Sequence, residues 1–506
     1  MQARSSHGSV NSHRAALSGN DCAISSSNRA GCPYNSLGRD VQSSYGSTMK
    51  VLLVQPPSSD PLSDRIFLFE PLGLEYLGAG LQLDGHEVEV LDARLTPDIE
   101  SACRRASPQV VGLTGYTSQL NIINNLALRL KSAFPALRII VGGHHATVRP
   151  EDFNIPAIDA VVIGEGVFAL REIVAAIEAG RGFEAIEGVA IPTPAGMHFG
   201  PPRRYTDLDD LPFPDRSLTA THRQNYFSEW FKPLASVRTS LGCSARCNFC
   251  ALWSITGGKY LRRRPESVVE ELRSVAEPNV FFCDDESMLD TRRMDRLADL
   301  IAAADIKKSY FLYGRVDTIV KHPELFAKWA KIGLSQVFVG MEDYSDARLE
   351  AMHKGITSTQ QVEAVRILDD LGIMMYASYM VDPAYTREDF RNLLSYVRRM
   401  KHKYATFTVL TPLPGTQIYA ERQHELLSRK PELFDMVHAL LPTKLPLQDF
   451  YAEYAKLWTN AVPFYRVLPT LARFGIHGML QRIRLFGTFL KRAKTAHLDY
   501  SSDVAE

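Results

Sequence analysis

The stretch that decides the fold is Ser240-Leu-Gly-Cys-Ser-Ala-Arg-Cys-Asn-Phe-Cys250, which carries three cysteines in the spacing C-x3-C-x2-C. Thiolates are soft ligands that select zinc or an iron–sulfur cluster. A closed zinc site needs a fourth Cys or His, and the next ones along the chain are distant, at Cys283 and His322. A cubane with three protein ligands leaves one iron open for a substrate or cofactor. The spacing favours an iron–sulfur site, and structural zinc or three unrelated buried thiols are the alternatives.

This loop resembles the signature of the radical S-adenosylmethionine superfamily, with Phe249 as the aromatic residue before the last cysteine. The resemblance implies that Cys243, Cys247 and Cys250 bind a 4Fe–4S cluster. It also implies that the open iron chelates S-adenosylmethionine, whose reductive cleavage releases a 5′-deoxyadenosyl radical. In that family the aromatic residue packs near the adenine. An ordinary core role for Phe249 is equally consistent with the sequence.

Composition limits the class of protein. The chain has 506 residues, 45% of them hydrophobic and 23% charged, and a formal net charge of zero. This length predicts two or three domains, and the balanced charge gives no indication of a nucleic-acid partner. Seven cysteines, three of them in one loop, indicate a reducing compartment rather than a disulfide framework. Because the sequence has no apolar run of membrane-spanning length, we expect a cytoplasmic protein.

The N-terminal part of the chain divides into two regions. Residues 1–48 are rich in Ser, Gly, Asn and Arg, lack hydrophobic periodicity and are predicted to be a disordered extension. In residues 49–185 short apolar runs alternate with helical patterns, which predicts a doubly wound, Rossmann-like parallel sheet. The predicted strands are 51–54, 87–91, 110–113, 138–141 and 160–163, and the predicted helices are 72–84, 96–105, 120–134 and 168–179.

Loops rich in glycine and hydroxyl side chains follow several of these strands. Doubly wound sheets bind ligands at the carboxyl ends of their strands. Glycines let a ligand approach the backbone, and Thr and Ser offer hydrogen bonds. One such loop would be an ordinary turn, but four on one edge favour a ligand site. The candidate residues are Thr114, Thr117, Ser118, Gly142, Gly143, His144, Gly164 and Gly166.

This half resembles the cobalamin-binding domain that precedes many radical S-adenosylmethionine cores. The matching pieces are Gly142-Gly-His-His-Ala-Thr147 and Gly164-Glu-Gly166, and the resemblance implies that the candidate residues bind cobalamin. Base-off cobalamin domains carry Asp-x-His-x-x-Gly for an axial imidazole. The nearest run here, Asp84-Gly-His-Glu-Val-Glu89, lacks the glycine, so no histidine ligand to cobalt is assigned. Either His144 or His145 over the corrin, or a satisfied surface histidine, fits the sequence.

The second half returns to strand–helix alternation after a Pro-rich linker, residues 186–233. Residues 234–420 predict a partial (β/α)6 barrel, whose functional residues should lie at the strand C-termini. The predicted strands are 234–239, 279–283, 309–313, 336–340, 374–380 and 405–410.

Charged residues and a turn follow several barrel strands. The ammonium, carboxylate and ribose diol of S-adenosylmethionine need carboxylate, cationic and polar partners. The alternative for each acid is a salt-bridged loop carboxylate. No general base or nucleophile is assigned, because the cofactors carry the chemistry. The resemblance implies that Phe249, Asp284, Asp285, Arg315, Glu342, Pro412 and Gly415 line the cofactor site.

Residues 421–506 predict a helical region, with helices over 434–441, 445–458 and 464–494. The last stretch carries Arg and Lys side chains but no acid among many apolar residues. A basic amphipathic helix is typical of membrane-surface or partner binding, and a helix that covers the barrel is the alternative.

The resemblance covers residues 49–420 and implies a cobalamin-dependent radical methyltransferase that acts on an unactivated carbon. The opening Met49-Lys-Val-Leu-Leu-Val and the run from Leu441 to Tyr451 are similar to bacterial hopanoid C-3 methylases. That similarity implies a lipid substrate. We also expect an electron donor such as flavodoxin or ferredoxin, and the basic amphipathic stretch favours peripheral membrane association through 464–494. The alternatives are another cobalamin-dependent radical reaction, such as ring formation in pigment or antibiotic synthesis, and a non-catalytic cobalamin- or metal-binding module.

Overall fold

The computed structural model describes residues 48–463, 465, 466, 468, 472 and 475–500. The predicted disorder of the N-terminal extension therefore falls outside the described residues, apart from Thr48. From Thr48 onward the described chain contains two main sheets, one in each half.

The N-terminal half is an α/β unit built on a seven-stranded sheet. Its strands are β1 (Lys50–Gln55), β2 (Glu87–Asp92), β3 (Val110–Thr114), β4 (Arg138–Gly142), β5 (Ala160–Val162), β6 (Val189–Thr193) and β7 (Gly196–Phe199). Its helices are α1 (Leu72–Leu83), α2 (Ile99–Ala106), α3 (Leu120–Ala133), α4 (His144–Val148) and α5 (Val167–Glu178).

Five parallel strands in the order β2–β1–β3–β4–β5 confirm the predicted doubly wound sheet. Continuous apolar runs such as Val51 to Val54 form its centre, because a parallel sheet is covered by helices on both faces. In this strand order a ligand binds where the order reverses, at the carboxyl ends of β1 and β3.

The sheet continues beyond the predicted boundary at residue 185. Strand β6 pairs with β5, and β7 pairs with β6, both antiparallel. The sequence of the linker predicts one short strand, Gly188–Ile191. The structure instead forms a hairpin, with Gly196 at positive φ beside its turn, and the hairpin pairs with the free edge of β5.

Residues that follow this hairpin join the two halves through buried ion pairs. A 3-10 segment, Arg216–Asn225, carries two arginines that reach the second half. Arg216 pairs with Glu271 at 2.7 Å, and Arg223 pairs with Glu277 at 2.6 Å. Arg223 also pairs with Glu70 of the first half. Removing one partner of a buried pair costs several kcal/mol, about 3–5, so these contacts fix the two halves together.

The second half begins with the predicted barrel. Its strands are β8 (Leu234–Val237), β9 (Ser240–Leu241), β10 (Leu261–Arg262), β11 (Asn279–Phe282), β12 (Ser309–Gly314), β13 (Leu334–Glu342), β14 (Met374–Val381) and β15 (Tyr404–Val409). Its helices are α6 (Leu252–Ile255), α7 (Pro265–Ser274), α8 (Thr291–Ala303), α9 (Val316–Lys321), α10 (Pro323–Lys331), α11 (Asp346–Ala351), α12 (Ser358–Asp370), α13 (Arg387–Met400) and α14 (Gln417–Arg422).

Six strands of this half form one parallel sheet in chain order, β8–β11–β12–β13–β14–β15. The predicted partial barrel is therefore confirmed. Its two edge strands are β8 and β15, and we call the opening between them the seam. All six carboxyl ends lie at one end of the barrel, as parallel pairing requires.

Aromatic side chains from consecutive strands line one face of this sheet. We call them the aromatic belt: Phe281, Phe311, Tyr313, Phe338, Tyr376 and Tyr404. Adjacent rings have centroid distances of 4.7 Å for Phe281–Phe311, 5.0 Å for Tyr313–Phe338, 5.1 Å for Phe338–Tyr376 and 4.5 Å for Tyr376–Tyr404. Phe69 of the first half joins the belt at 5.0 Å from Phe281. The belt lines one face of the barrel sheet with packed aromatic rings.

The C-terminal region contains α15 (Leu447–Asn460) and α16 (Gly475–Thr495). The predicted helix over 434–441 is wrong. This segment runs irregularly beside the edge strand, where the Val409 N–H donates to the Met436 carbonyl at 2.7 Å. Its apolar residues Ala439, Leu440 and Leu441 are buried there, so their pattern reflects packing on β15. None of the described helices combines the length and hydropathy needed to cross a membrane.

Candidate active site

The cysteine loop follows β8 and is held by the acidic run that follows β11. The Asp284 carboxylate accepts hydrogen bonds from the Thr239 N–H at 2.6 Å and the Ser240 N–H at 2.8 Å. Asp285 accepts one from the Gly242 N–H at 2.6 Å. Gly242 has φ +89°, and a side chain there would lie 2.0 Å from a backbone oxygen. Both predicted acids therefore contact the loop, and direct contact with S-adenosylmethionine stays a prediction.

The three thiols lie in a partly buried position on this loop. Cys247 is buried, Cys243 and Cys250 are half-buried, and all three are free. Burial raises the pKa of Cys243 and raises that of Cys250 to about 12. Metal binding must therefore displace protons from these thiols. Within the described residues, no three Cys, His, Asp or Glu side chains are placed to hold a single metal ion. A cubane does not need such a site, because each thiolate binds a different iron atom.

Two cations and a carboxylate lie beside the thiols. Arg315 donates to Asp317 at 2.9 Å and to the Lys354 carbonyl at 2.9 Å. Lys354 Nζ donates to Glu342 at 2.6 Å. Burial alone would lower the pKa of Lys354, but Glu342 and Cys247 raise it above its ordinary value. The structure therefore brings the predicted Arg315 and Glu342 together around Lys354, which sequence reasoning missed.

Glu286 is a second residue that sequence reasoning passed over. Its side chain is buried, and Oε1 has no hydrogen-bond partner among the described residues. Burial raises the pKa of Glu286 to about 8, against the opposing effect of Arg315. The signal was present in the acidic run from Asp284 to Glu286. Sequence alone could not tell which acid is left after the first two bind the loop.

The predicted turn from Pro412 to Gly415 meets the N-terminal half. Gly415 has φ +86°, and a Cβ there would lie 2.9 Å from Val148 of α4. Phe249 packs nearby, in a small apolar cluster with Met352 and Leu410. The turn thus contacts both halves of the protein. One side of Phe249 packs in the apolar cluster, and the other side lines a cavity.

We call the strand-end groups of the barrel described so far the barrel rim, or charged rim. The candidate loops of the N-terminal sheet lie opposite it and form the N-terminal rim, or neutral rim. Gly143 has φ +98°, and a Cβ there would lie 2.4 Å from Thr114 Oγ1, so these two residues pack backbone against side chain. The Gly164 N–H donates to Thr147 Oγ1 at 3.1 Å. Cβ atoms on Gly142 and Gly166 would contact Val162 and Leu77. Thr117, Ser118 and His144 face the space between the sheets.

The structure separates the two histidines that the sequence left open. His145 is buried between Thr117 and Asp152, with a distance of 3.0 Å to each from its two ring nitrogens. His144 instead stacks on Tyr116, with ring centroids 4.9 Å apart. Burial lowers the pKa of His144, and Arg238 lowers it further. His145 is therefore structural, whereas His144 and the unpredicted Tyr116 form the exposed aromatic pair of this rim.

One large cavity joins these groups, with a volume of about 2290 Å³. It is lined by the exposed residues of the N-terminal rim, by the end of the cysteine loop, by Tyr313, Tyr376 and Tyr404 of the aromatic belt, and by one side of α16. The three tyrosines supply an aromatic wall, and charged side chains such as Glu229 and Arg482 also line the cavity. The residues that line the cavity include Tyr116, His144, Phe249, Cys250, Tyr313, Tyr376, Tyr404, Glu229, Ile483 and Phe486.

Comparison with known families matches both halves. The B12 binding domain family matches residues 65–174, and the Radical SAM superfamily matches residues 237–397. The chain is 30% identical over 415 residues to a hopanoid C-3 methylase of Methylococcus capsulatus, which covers 81% of this chain and 79% of the relative.

Two further similarities broaden this comparison. An anaerobic magnesium-protoporphyrin IX monomethyl ester cyclase of Rubrivivax gelatinosus is 24% identical over 404 residues, or 76% of this chain and 71% of the cyclase. The fold is similar to that of the cobalamin-dependent radical enzyme OxsB, solved with aqua-cobalamin and S-adenosylmethionine. The TM-score is 0.68 at 15% identity, over 89% of this chain and 72% of OxsB.

The two family matches imply cobalamin, a 4Fe–4S cluster and S-adenosylmethionine as cofactors, and the residues fit them. Three adjacent thiols suit the cluster, and a charged rim suits a charged cofactor. Neutral, glycine-rich loops suit a corrin that approaches the backbone closely. The chain therefore belongs to the family of cobalamin-dependent radical S-adenosylmethionine methyltransferases.

Proposed function

We propose that this enzyme methylates an unactivated carbon of a hopanoid-type polycyclic lipid. The observation that carries the proposal is one cavity of about 2290 Å³, which is lined by Tyr313, Tyr376 and Tyr404 of the aromatic belt and by α16. Ordinary small-ligand sites have volumes of about 300–1,000 Å³, so this one has room for a corrin and a large substrate. The similarity to a hopanoid C-3 methylase supports the same substrate class.

We assign the charged rim to the cluster and S-adenosylmethionine. Cys243, Cys247 and Cys250 ligate the cluster, and the Asp284 and Asp285 carboxylates hold their loop. Glu286 is oriented for an ammonium, since its Oε1 has no partner among the described residues.

The other groups of the charged rim bind the remaining parts of the cofactor. Arg315 suits the cofactor carboxylate, while the Glu342–Lys354 pair and the turn from Pro412 to Gly415 close the site. Phe249 packs against the adenine.

We assign the opposite rim to cobalamin. Thr117, Ser118, His144 and Tyr116 face the cavity and contact the corrin. Behind them the remaining candidate residues keep the backbone close to the ligand: Thr114, Gly142, Gly143, Gly164 and Gly166. Bound in this way, the cofactors supply a hydrogen-abstracting radical and a methyl group. The chain orients both on one substrate and keeps water from the apolar wall.

The electron that starts each turnover comes from outside the protein. We propose a reduced flavodoxin or ferredoxin as the donor. Ser244 and Arg246 of the cysteine loop are exposed, so the donor can approach the cluster from that surface.

Helix α16 gives the lipid a route into the cavity. Ile476 is 76% exposed and Leu480 is 47% exposed, whereas Ile483 and Phe486 line the cavity. These residues recur at helical spacing, so one apolar stripe runs from the surface into the site. The basic side chains Arg484, Lys491 and Lys494 are exposed nearby. We propose that this stripe rests on an anionic leaflet, at the cytoplasmic face of the membrane.

Methyl transfer tests the substrate. Anaerobically reconstituted enzyme is given S-adenosylmethionine with a deuterated methyl group, a reductant and a hopanoid, and the lipid is analysed by mass spectrometry. We expect one labelled methyl group on the hopanoid. Magnesium-protoporphyrin IX monomethyl ester serves as the competing substrate. If only this compound is converted, with a new ring and no label, the lipid proposal is wrong.

Liposome binding tests the route. Protein should co-sediment with anionic vesicles, less at high salt, because each basic side chain near the leaflet contributes about 1 kcal/mol. Exchanging Ile476 and Leu480 for Ser should weaken binding, whereas Leu128→Ser, an exposed leucine on α3, should not. Equal binding by all three proteins would show that α16 only covers the barrel.

A further inference from the structure

The seam is closed by a segment that precedes β8. In this segment Phe227 forms an antiparallel bridge with Leu68 of the first half, and Ser228 bridges Phe231. Glu229 and Trp230 lie between them, and both line the cavity. The segment therefore presents one carboxylate to the cavity at the seam, beside the aromatic side chains of Trp230 and Tyr404.

Contacts across the seam reach this carboxylate from the other edge strand. The Tyr404 hydroxyl, at the start of β15, donates to Glu229 Oε1 at 2.5 Å. Tyr404 also packs edge-to-face on Trp230, with centroids 5.5 Å apart. From α16, Arg482 donates to the backbone carbonyl of Glu229 at 3.1 Å. Two separate elements, β15 and α16, thus fix Glu229 in place.

One oxygen of Glu229 is left over. Oε2 is enclosed and has no hydrogen-bond partner among the described residues. Leaving a buried polar atom unpaired costs about 1–3 kcal/mol, so a site that retains one is suited to a ligand that pairs with it. Burial raises the pKa of Glu229 to about 7, and Tyr404 opposes the rise. The terminal torsion of a Glu side chain is soft, so a small rotation presents Oε2 to the cavity.

The Glu229–Tyr404 pair and the cysteine loop lie at opposite ends of the barrel. Tyr404 begins β15, whereas the loop follows the carboxyl end of β8. The cavity is lined by consecutive residues of β15 from Tyr404 to Thr408, and then by Leu413 and Pro414. A strand of this length spans about 20 Å, so a long ligand along β15 can reach both ends.

We propose that Glu229 and Tyr404 bind an alcohol hydroxyl at the end of the substrate remote from the methylated carbon. This inference rests on the lipid substrate proposed above and adds its polar group. A molecule with an apolar body can pack on the aromatic side chains of the cavity, and its one hydroxyl can donate a hydrogen bond to Glu229 Oε2. The pair positions the substrate along β15, and so selects which carbon reaches the cluster end.

The test compares two probes that differ by one hydroxyl, hopan-22-ol and hopane, presented to the holoenzyme in the same detergent micelles at pH 8. We expect wild type to bind the alcohol about tenfold more tightly, the usual scale for a hydrogen bond to a charged group. Glu229→Leu should bind both probes equally, and Tyr404→Phe should lose part of the preference. Glu421→Leu, on the exposed face of α14, should keep all of it.

Each outcome separates this inference from the substrate proposal. Equal binding of both probes by wild type overturns the hydroxyl site and leaves the lipid substrate standing. If wild type binds neither probe, both proposals fail together. If Glu229→Leu loses its corrin spectrum, the variant is not folded, and the isosteric Glu229→Gln is tested in its place. A neutral amide should reduce the preference about threefold, since neutral hydrogen bonds are weaker, and an unchanged preference contradicts the proposal.

Discussion

The two sheets meet one cavity with different chemistry. The N-terminal rim presents hydroxyls, glycine backbone and the His144–Tyr116 aromatic pair. The barrel rim presents three thiols beside a hydrogen-bonded set of Arg315, Lys354 and Glu342. Both rims are carboxyl ends of parallel strands, so the shared topology does not set their polarity. The loops set it, and each rim suits a different cofactor.

The largest expected effect removes one thiol from the charged rim. Cys250→Ala should lose the cluster and all 5′-deoxyadenosine formation, because a cubane on this loop needs three thiolates. Corrin retention should not change, since the neutral rim is on the other sheet. Iron and sulfide analysis with product chromatography measures both. Cys103→Ala, a buried thiol on α2, is the control. A Cys250 variant that cleaves the cofactor at the wild-type rate would refute the ligand assignment.

The next effect disturbs the neutral rim. Gly143→Ala should reduce retention of hydroxocobalamin by about tenfold, because the added Cβ meets Thr114 Oγ1 at 2.4 Å and φ is +98°. Such a backbone position costs a side chain about 1–3 kcal/mol. The cluster should load normally. Gly73→Ala, on open surface of α1, should retain the corrin as wild type does. Loss of the cluster together with the corrin would mean that the rims are not separable.

A smaller effect tests charge pairing in the barrel rim. Lys354→Met leaves Glu342 buried without its partner and should lower the free energy of unfolding by about 3 kcal/mol. Adding Glu342→Gln should restore most of this loss. Arg366→Met breaks an exposed pair with Glu363 and should have a much smaller effect, because solvent screens exposed ion pairs. Urea denaturation of the four proteins gives these values. Equal losses at both pairs would argue against a desolvated charged rim.

The smallest effect concerns the C-terminal end of α16, the helix that lines one side of the cavity. His438 lies 2.9 Å from Asp435 and 3.1 Å from Asp499, and Asp499 follows the end of α16. Burial would lower the pKa of His438, but the two carboxylates raise it above its ordinary value. A raised histidine pKa stabilises the folded state below the unfolded pKa of about 6.5, and this contribution disappears as pH rises through the folded pKa.

Amide exchange in residues 496–500 should therefore become faster as pH increases through this window, after correction for the intrinsic rate. His438→Gln should show no such additional acceleration. If wild type and variant respond alike, the ion pairs of His438 do not secure the end of α16, and its other contacts hold it.

The fold was predictable where one local pattern determines it. Apolar strands such as Val51 to Val54 are buried in any parallel sheet, so their pattern predicts their place. The segment 434–441 shows the limit, because its apolar residues pack on an edge strand that no local pattern reveals. The hairpin β6–β7 was missed for the same reason, since it needed the free edge of β5.

The site was predictable for the residues that one loop brings together. The three cysteines are neighbours in sequence and need no tertiary information. Lys354 and Glu286 acquire their roles only from the fold: one by pairing with Glu342, the other because the acids before it bind the loop. Tyr116 likewise became visible only where it stacks on His144.

The buried arginines of the segment that joins the halves bear on how this architecture can be rearranged. Arg216 and Arg223 pair with glutamates on both sides, and burial raises the pKa of Glu75 beside them to about 7. Splitting the chain after β7 would leave Glu70 and Glu75 without these partners. The cobalamin-binding half therefore cannot be exchanged alone by joining two parent chains just after β7. A working chimera must take residues 216–223 with one parent's complete set of glutamates, so the interface is inherited as a unit.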